Sequence, residues 1–322
     1  MPSRRRPAGD APPAGKPVTT VTPPAAWPSL GRDWPNREYS RFVAAGGVRW
    51  HVQLANSSTG GTHAAPAVVL LHGLGGSTHS WRDVLPLLAA RFTVVALDLP
   101  GHGFTSALSV PTIPAMAAAI TALLTELGLV PALIVGHSAG AVVALRLSLT
   151  TPVPVVTFNG ALLPFPGIAA TIFPTVAKLL FVNAFVPALA AAQARRPGVV
   201  ARFLPRSTGS TIDARGVDLY ARLFGRSDHV AGALAMMANW DVAALAADLP
   251  HLAAPLRLIV GERDATVPAA VSRDVAARVP GAVVESMGPL GHLAHEEDPA
   301  AAARLIAAAA DDWGIGRSVA GL

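Results

Sequence analysis

ALIVGHSAGAVVALRL, Ala132–Leu147, decides the fold. Its first four residues form a short apolar run, as expected of a strand buried on both faces. AVVALRL, after Gly140, has the composition of a helix. Between them stands Gly136-His137-Ser138-Ala139-Gly140, a G-x-S-x-G pattern. A chain that turns so sharply from strand to helix holds its central serine in a strained backbone, with the hydroxyl exposed at the end of the sheet. Glycine on either side lets neighbouring backbone approach without a Cβ in the way. Ser138 is the candidate nucleophile; the bland alternative is a capping serine on a Gly-rich turn.

The same alternation continues on both sides. Val68–Leu71, Phe92–Asp98, Val153–Phe158, Leu256–Gly261 and Ala282–Met287 read as strands. Trp81–Ala90, Ile113–Leu127, Val271–Val279 and Ala300–Asp312 read as helices. Strand then helix, repeated, predicts an α/β fold with a mostly parallel sheet and helices on both faces. Ahead of it, Glu38–Ala44 and Val48–Leu54 read as a hairpin about Gly46–Gly47. The alternation fails between about Gly160 and Leu249, where prolines interrupt helical stretches. The expected organisation is a disordered Pro-rich tail (1–33), a core built from 34–159 and 250–314, and an inserted helical cap (160–249). Within the cap, Ile168–Ala192 is long and apolar enough to raise the question of a membrane span. Pro174, Pro187 and Lys178 interrupt it, which favours a pair of cap helices.

A serine hydroxyl needs a base. Gly291-His292 follows the last strand, where the final member of a Ser-Asp-His order belongs, and Asp264 in LIVGERD follows the strand before it. His292 is the expected base, and Asp264 the carboxylate that fixes its tautomer. Taken singly, Asp264 reads equally as a turn residue and His292 as a capping or core histidine. HGLGG (His72–Gly76) closes the strand VVLL, so the backbone N–H groups of Leu74 and Ala139 are the expected oxyanion donors. Of the remaining histidines, His72 is expected to brace its loop, His137 to line the pocket, and His295, followed by acids, to be more exposed. Asp98, in DLPGHG, reads as a structural anion.

Composition excludes several classes. The 322-residue chain has no cysteine, so it has no disulfide, thiolate or Cys-zinc chemistry. Its net charge of +5 owes three charges to Arg4, Arg5 and Arg6, and no basic stripe with interleaved aromatics points to nucleic acid. No metal-ligand spacing is visible, and neither metal nor cofactor is expected. Pro, Gly and charge follow the arginines where a signal peptide would be apolar, so a cytoplasmic location is expected.

HGLGGSTHSW, DLPGHGFTS, GHSAG, GERD and GHLAHEE together resemble the α/β-hydrolase superfamily over residues 40–312. WPNREYSRFV (Trp34–Val43), THSWRDVLPLL (Thr78–Leu88), FNGALLPFPG (Phe158–Gly167) and HVAGALAMMANWD (His229–Asp241) look more narrowly like the magnesium-chelatase accessory proteins of bacteriochlorophyll biosynthesis. That resemblance implies a role near Mg²⁺ insertion into protoporphyrin IX, a tetrapyrrole ligand, and chelatase subunits as partners. It transfers a pathway more securely than a reaction. His137, Phe165, Met237 and Trp240 are the candidate substrate-binding residues, and Phe173, Phe181, Phe185 and Met236 add adaptable apolar walls. Arg195, Arg196, Arg202 and Arg206 could meet propionates; the plainer reading is a solvated face. Three functions remain: a serine hydrolase serving the chelation step, a non-catalytic tetrapyrrole carrier, and a generic carboxylesterase. Contact with a membrane surface is compatible with each.

Overall fold

A computed structural model of the chain describes residues 18–57, 65–164, 183 and 185–316. Gly46 and Gly47 both take positive φ (57° and 75°), the pair of left-handed residues that a two-residue hairpin turn demands. They join β1 (Ser40–Ala45) to β2 (Val48–Ala55). The other strands are β3 (Ala67–Leu71), β4 (Thr93–Leu97), β5 (Pro131–His137), β6 (Val155–Phe158), β7 (Leu256–Val260) and β8 (Val283–Ser286). The eight lie in one sheet, in the order β1-β2-β4-β3-β5-β6-β7-β8. β1, β2 and β4 pair antiparallel, and every later pairing is parallel. The protein has the α/β-hydrolase fold.

Helices cover both faces because both faces of the central strands are apolar. On one side α3 (Ile113–Glu126) and α4 (Ala139–Thr150) bury Met116, Ile120, Val143 and Leu147 against Val69, Val95 and Ile134. On the other, α2 (Val84–Ala89) and the last helix (Pro299–Asp312) bury Leu85, Leu88 and Ile306 against Val68, Leu70 and Val135. This sandwich fixes the carboxyl ends of β3, β5, β6, β7 and β8, from which the site is built.

The N-terminal boundary differs from the reading of a tail over 1–33. Residues 27–30 form a short helix, α1 (Trp27–Leu30), and Trp27 is buried. Its ring packs on Phe42, His51 and Phe104 with centroids 4.8–5.1 Å apart. Thr20 also bridges to Val43 of β1. Proline content favoured disorder, but one large aromatic buried among three rings outweighs it.

Between β6 and β7 the described residues form α5 (Phe185–Ala194), α6 (Val199–Thr208), α7 (Ala214–Phe224), α8 (Ser227–Ala238) and α9 (Val242–Asp248). α8 is pressed onto the core. A Cβ on Gly232 would overlap the carbonyl oxygen of Gly101 and lie 2.8 Å from its Cα. Most of the apolar stretch Ile168–Ala192 lies outside the described residues. Among the described residues no single helix is long and apolar enough to cross a membrane; Ser227–Ala238 with Val242–His251 pass together by length and composition, but bend by 54°.

Candidate active site

Ser138 has φ 51° and ψ −114°, a conformation that L-residues adopt only at a cost. Two features hold it. Its N–H donates to the Phe158 carbonyl at 2.9 Å, and its carbonyl accepts from Ala141 at 3.1 Å. The glycines two residues either side are sterically required. A Cβ on Gly136 would lie 2.5 Å from Ala141 Cα, and one on Gly140 would lie 2.5 Å from the His72 carbonyl oxygen.

The turn aims Ser138 at the loop after β8. Ser138 Oγ–H donates to His292 Nε2 at 2.9 Å, and His292 Nδ1–H donates to Asp264 Oδ2 at 2.7 Å. The Asp264 carboxylate is fully occupied. Oδ1 accepts from the backbone N–H groups of Thr266 (2.7 Å) and Val267 (2.8 Å), and Oδ2 also accepts from Asn159 Nδ2 at 2.8 Å. The three residues singled out in the sequence thus form one continuous hydrogen-bonded chain. His292 is held by its own backbone as well: its N–H donates to the Thr208 carbonyl, and its carbonyl accepts from His137 Nε2 at 2.9 Å. Burial drives the His137 pKa well below its ordinary value, so its ring is neutral.

Sequence reasoning missed Asn159. It directly follows β6 with φ 49° and is buried, with its amide shared between Asp264 and the Gly291 carbonyl. Asparagine tolerates the left-handed region better than most residues, and an Asn directly after a β-strand in this fold was the available signal.

A cavity of about 940 Å³ opens over Ser138. Leu74, Ala139, His137, Met237 and Trp240 line it, joined by Met236, Phe203 and Phe224. Phe165, the remaining candidate for the pocket, lies outside the described residues. Ala139 is the first residue of α4, where backbone N–H groups have no partner within the helix. The Leu74 loop is braced on two sides. His72 Nδ1–H donates to the Gly73 carbonyl at 2.7 Å, and His72 Nε2 accepts from Leu99 N–H at 2.8 Å. From α8, His229 Nε2–H donates to the Gly75 carbonyl and Nδ1 accepts from Gly103 N–H, both at 3.0 Å. Asp98 anchors the neighbouring turn through His51, Thr78 and Phe104. Burial alone would raise its pKa, but the charge and hydrogen bond of His51 hold it well below the carboxylate range.

His295 departs from its expected exposure. It is fully buried, stacked near Trp81 and His137, with Nε2 hydrogen-bonded to Ser80 Oγ at 2.8 Å. The acids after it suggested a surface, but Glu296 is buried too. Tyr220 O–H donates to Glu296 Oε1 at 2.7 Å, while Oε2 has no partner among the described residues. Burial raises the Glu296 pKa to about 7, against the opposing pull of Tyr220 and Arg82. The folded state therefore holds a proton that the unfolded chain releases near 4.5, and stability falls as pH rises from there toward 7. The cost at alkaline pH is on the order of 3 kcal/mol. Glu296→Gln is expected to raise the urea midpoint at high pH and leave it unchanged below the unfolded pKa. Parallel pH profiles for the two proteins would contradict the assignment.

No group of three or more His, Asp or Glu among the described residues is arranged to hold a metal ion.

Residues 68–305 match the family model described as the alpha/beta hydrolase family. The chain is 39% identical over 271 residues to the magnesium-chelatase 30 kDa subunit of Rhodobacter capsulatus, covering 83% of this chain and 93% of that protein. Among solved structures, the enol-lactonase from Burkholderia xenovorans LB400 superposes with a TM-score of 0.66 at 20% identity, over 84% of this chain and 99% of its own. The epoxide hydrolase CorEH does so with a TM-score of 0.70 at 21% identity, over 86% and 99%.

Proposed function

The chain belongs to the alpha/beta hydrolase family, and from that premise we propose that it is a serine hydrolase acting as an accessory factor at the magnesium–protoporphyrin chelation step of bacteriochlorophyll biosynthesis. The hydrolytic half rests on one observation: the unbroken chain from Ser138 Oγ through His292 to the buried Asp264 carboxylate. The pathway half rests on the similarity to the Rhodobacter capsulatus subunit.

In this reading Ser138 Oγ attacks an ester carbonyl carbon while His292 Nε2 takes its proton. Negative charge gathers on the carbonyl oxygen, facing the N–H groups of Leu74 and Ala139, each donor contributing roughly 3 kcal/mol. His292 then protonates the leaving alkoxide, and the acyl group stays on Ser138. Water, deprotonated by His292, attacks that ester and restores the serine. Asp264 stabilises the imidazolium throughout and remains ionised. The helices between β6 and β7 act as a cap, and the Met236, Met237 and Trp240 walls take the apolar body of the substrate, a tetrapyrrole.

The size and apolar lining of the cavity also suit a second role, holding a tetrapyrrole without reacting. Intact-mass detection of labelling by a fluorophosphonate, with and without protoporphyrin IX, separates the readings. Labelling that the porphyrin blocks supports both the nucleophile and the ligand. Labelling that the porphyrin leaves untouched keeps the hydrolase and removes the ligand. A folded protein that resists the reagent removes the hydrolase.

A further inference from the structure

Between Phe158 and Ile212 the chain carries five cations (Lys178, Arg195, Arg196, Arg202, Arg206) and no carboxylate. Elsewhere among the described residues six arginines pair with acids: Arg82 with Asp213, Arg91 with Asp311, Arg146 with Asp248, Arg222 with Asp33, Arg226 with Asp228 and Arg257 with Asp312. Arg196, Arg202 and Arg206 are exposed and have no acidic partner among the described residues. Arg195 is the exception in its cluster, because its guanidinium donates to the Gly225 carbonyl.

The same helices hold the exposed aromatics. Phe185 is 82% exposed and Leu189, one helical turn along α5, is 73% exposed; Phe203 on α6 is 52% exposed. The other large apolar residues exposed among the described ones are aliphatic and fall on other elements: Leu74, Leu87, Val110, Val130 and Val283, with Val18 near the start. Aromatic and leucine side chains left in water on the same stretch as unpaired arginines, with no acid in that stretch of sequence, match an interfacial helix rather than a solvated one. An unpaired arginine alone is ordinary, and so is an exposed leucine. Here both fall on one pair of helices and the turn between them, and the one-signed charge says what kind of surface covers them.

The location adds a reason. A groove of about 440 Å³ on α6 is lined by Arg202, Arg206 and Gln193 together with Phe203 and Ser207. Phe203 and Ser207 also line the cavity over Ser138. We propose that α5 and α6 dock on an anionic lipid bilayer, with Phe185 and Leu189 in the acyl boundary and Arg196, Arg202 and Arg206 on the headgroups. The cavity mouth then opens toward the lipid, so that an apolar ligand can pass from bilayer to pocket without crossing water. This does not depend on whether Ser138 is catalytic.

Flotation of the full chain with vesicles tests it. Binding is expected to phosphatidylcholine vesicles containing phosphatidylglycerol, and not to phosphatidylcholine alone, with release by high salt. Each arginine near such a surface is worth about fivefold in partitioning, so Arg196→Ala/Arg202→Ala/Arg206→Ala together should lower it on the order of hundredfold. Phe185→Ser/Leu189→Ser should lower it at least about tenfold. All these side chains are exposed, so the unfolding midpoints of the variants should match wild type. Equal binding to neutral and anionic vesicles, or unchanged binding by both variants, overturns the proposal. So does salt-sensitive self-association that Phe185→Ser abolishes, in a protein that floats with neither vesicle; that result assigns the face to a second copy of the chain.

Discussion

Ser138→Ala is expected to abolish covalent labelling and to lower kcat/KM for an activated ester by roughly 10⁴- to 10⁶-fold. The exchange removes the one atom that both accepts the acyl group and donates to His292 Nε2. The cavity, the N–H groups of Leu74 and Ala139, and the backbone turn all remain, so the residual rate measures what binding and oxyanion contacts do alone. Alanine keeps the Cβ, and the backbone strain at φ 51° remains. Glycine removes it, so Ser138→Gly should be equally inactive but more stable by about 1 kcal/mol. The pair separates chemistry from strain, because activity falls in both and stability rises in only one. If Ser138→Ala kept more than about a hundredth of wild-type activity, the nucleophile would lie elsewhere.

Asp264→Asn is expected to cost about 10⁴-fold in kcat, the scale of the same exchange in other Ser-His-Asp enzymes. The carboxylate accepts from four donors: His292 Nδ1, Asn159 Nδ2, and the N–H groups of Thr266 and Val267. An asparagine amide has one acceptor oxygen. If that oxygen stays with Thr266 and Val267, the NH₂ group faces His292 and Asn159. His292 must then turn or change tautomer, presenting N–H toward Ser138. If the amide flips, His292 keeps its bond and two backbone donors face an NH₂ group. Either arrangement leaves buried donors opposed, so the unfolding free energy should also fall by about 1–3 kcal/mol. Stopped-flow acylation with urea unfolding reads both. An Asp264→Asn protein that stayed active or fully stable would mean the carboxylate does neither job.

The sheet was legible because its central strands are apolar on both faces and all its strands are short, so their boundaries in sequence and structure differ by a residue or two. The hairpin was legible because Gly46–Gly47 is a turn that few other residues can make. Ser138, Asp264 and His292 could be read because each follows a strand, and the chain order of strands orders the site. What was missed depends on packing between distant segments. Asn159 looks like any loop residue until Asp264, 105 positions later, is brought against its amide. His295 and Glu296 read as a polar surface because local composition carries no information about the Tyr220 and Ser80 side chains that enclose them. Trp27 was assigned to a tail on proline content; the Phe42, His51 and Phe104 rings that receive it come from other parts of the chain.

The bonds from His229 to Gly75 and Gly103, and the contact of Gly232 with Gly101, divide the helices between β6 and β7 by how they can be exchanged. Recombining α5 through α7 with the corresponding segment of a relative leaves His229 and Gly232 in place beside the Leu74 loop, and such chimeras can explore new ligands where they keep the Thr208 carbonyl that holds His292 and the Tyr220 hydroxyl on Glu296. A crossover placed inside α8 takes away the imidazole and the close glycine contact together, and with them the position of the Leu74 peptide. Variation among related chains should therefore accumulate before Ser227 and at the pocket-lining Met236, Met237 and Trp240, while the first half of the helix from Ser227 behaves, for selection, as part of the sheet domain.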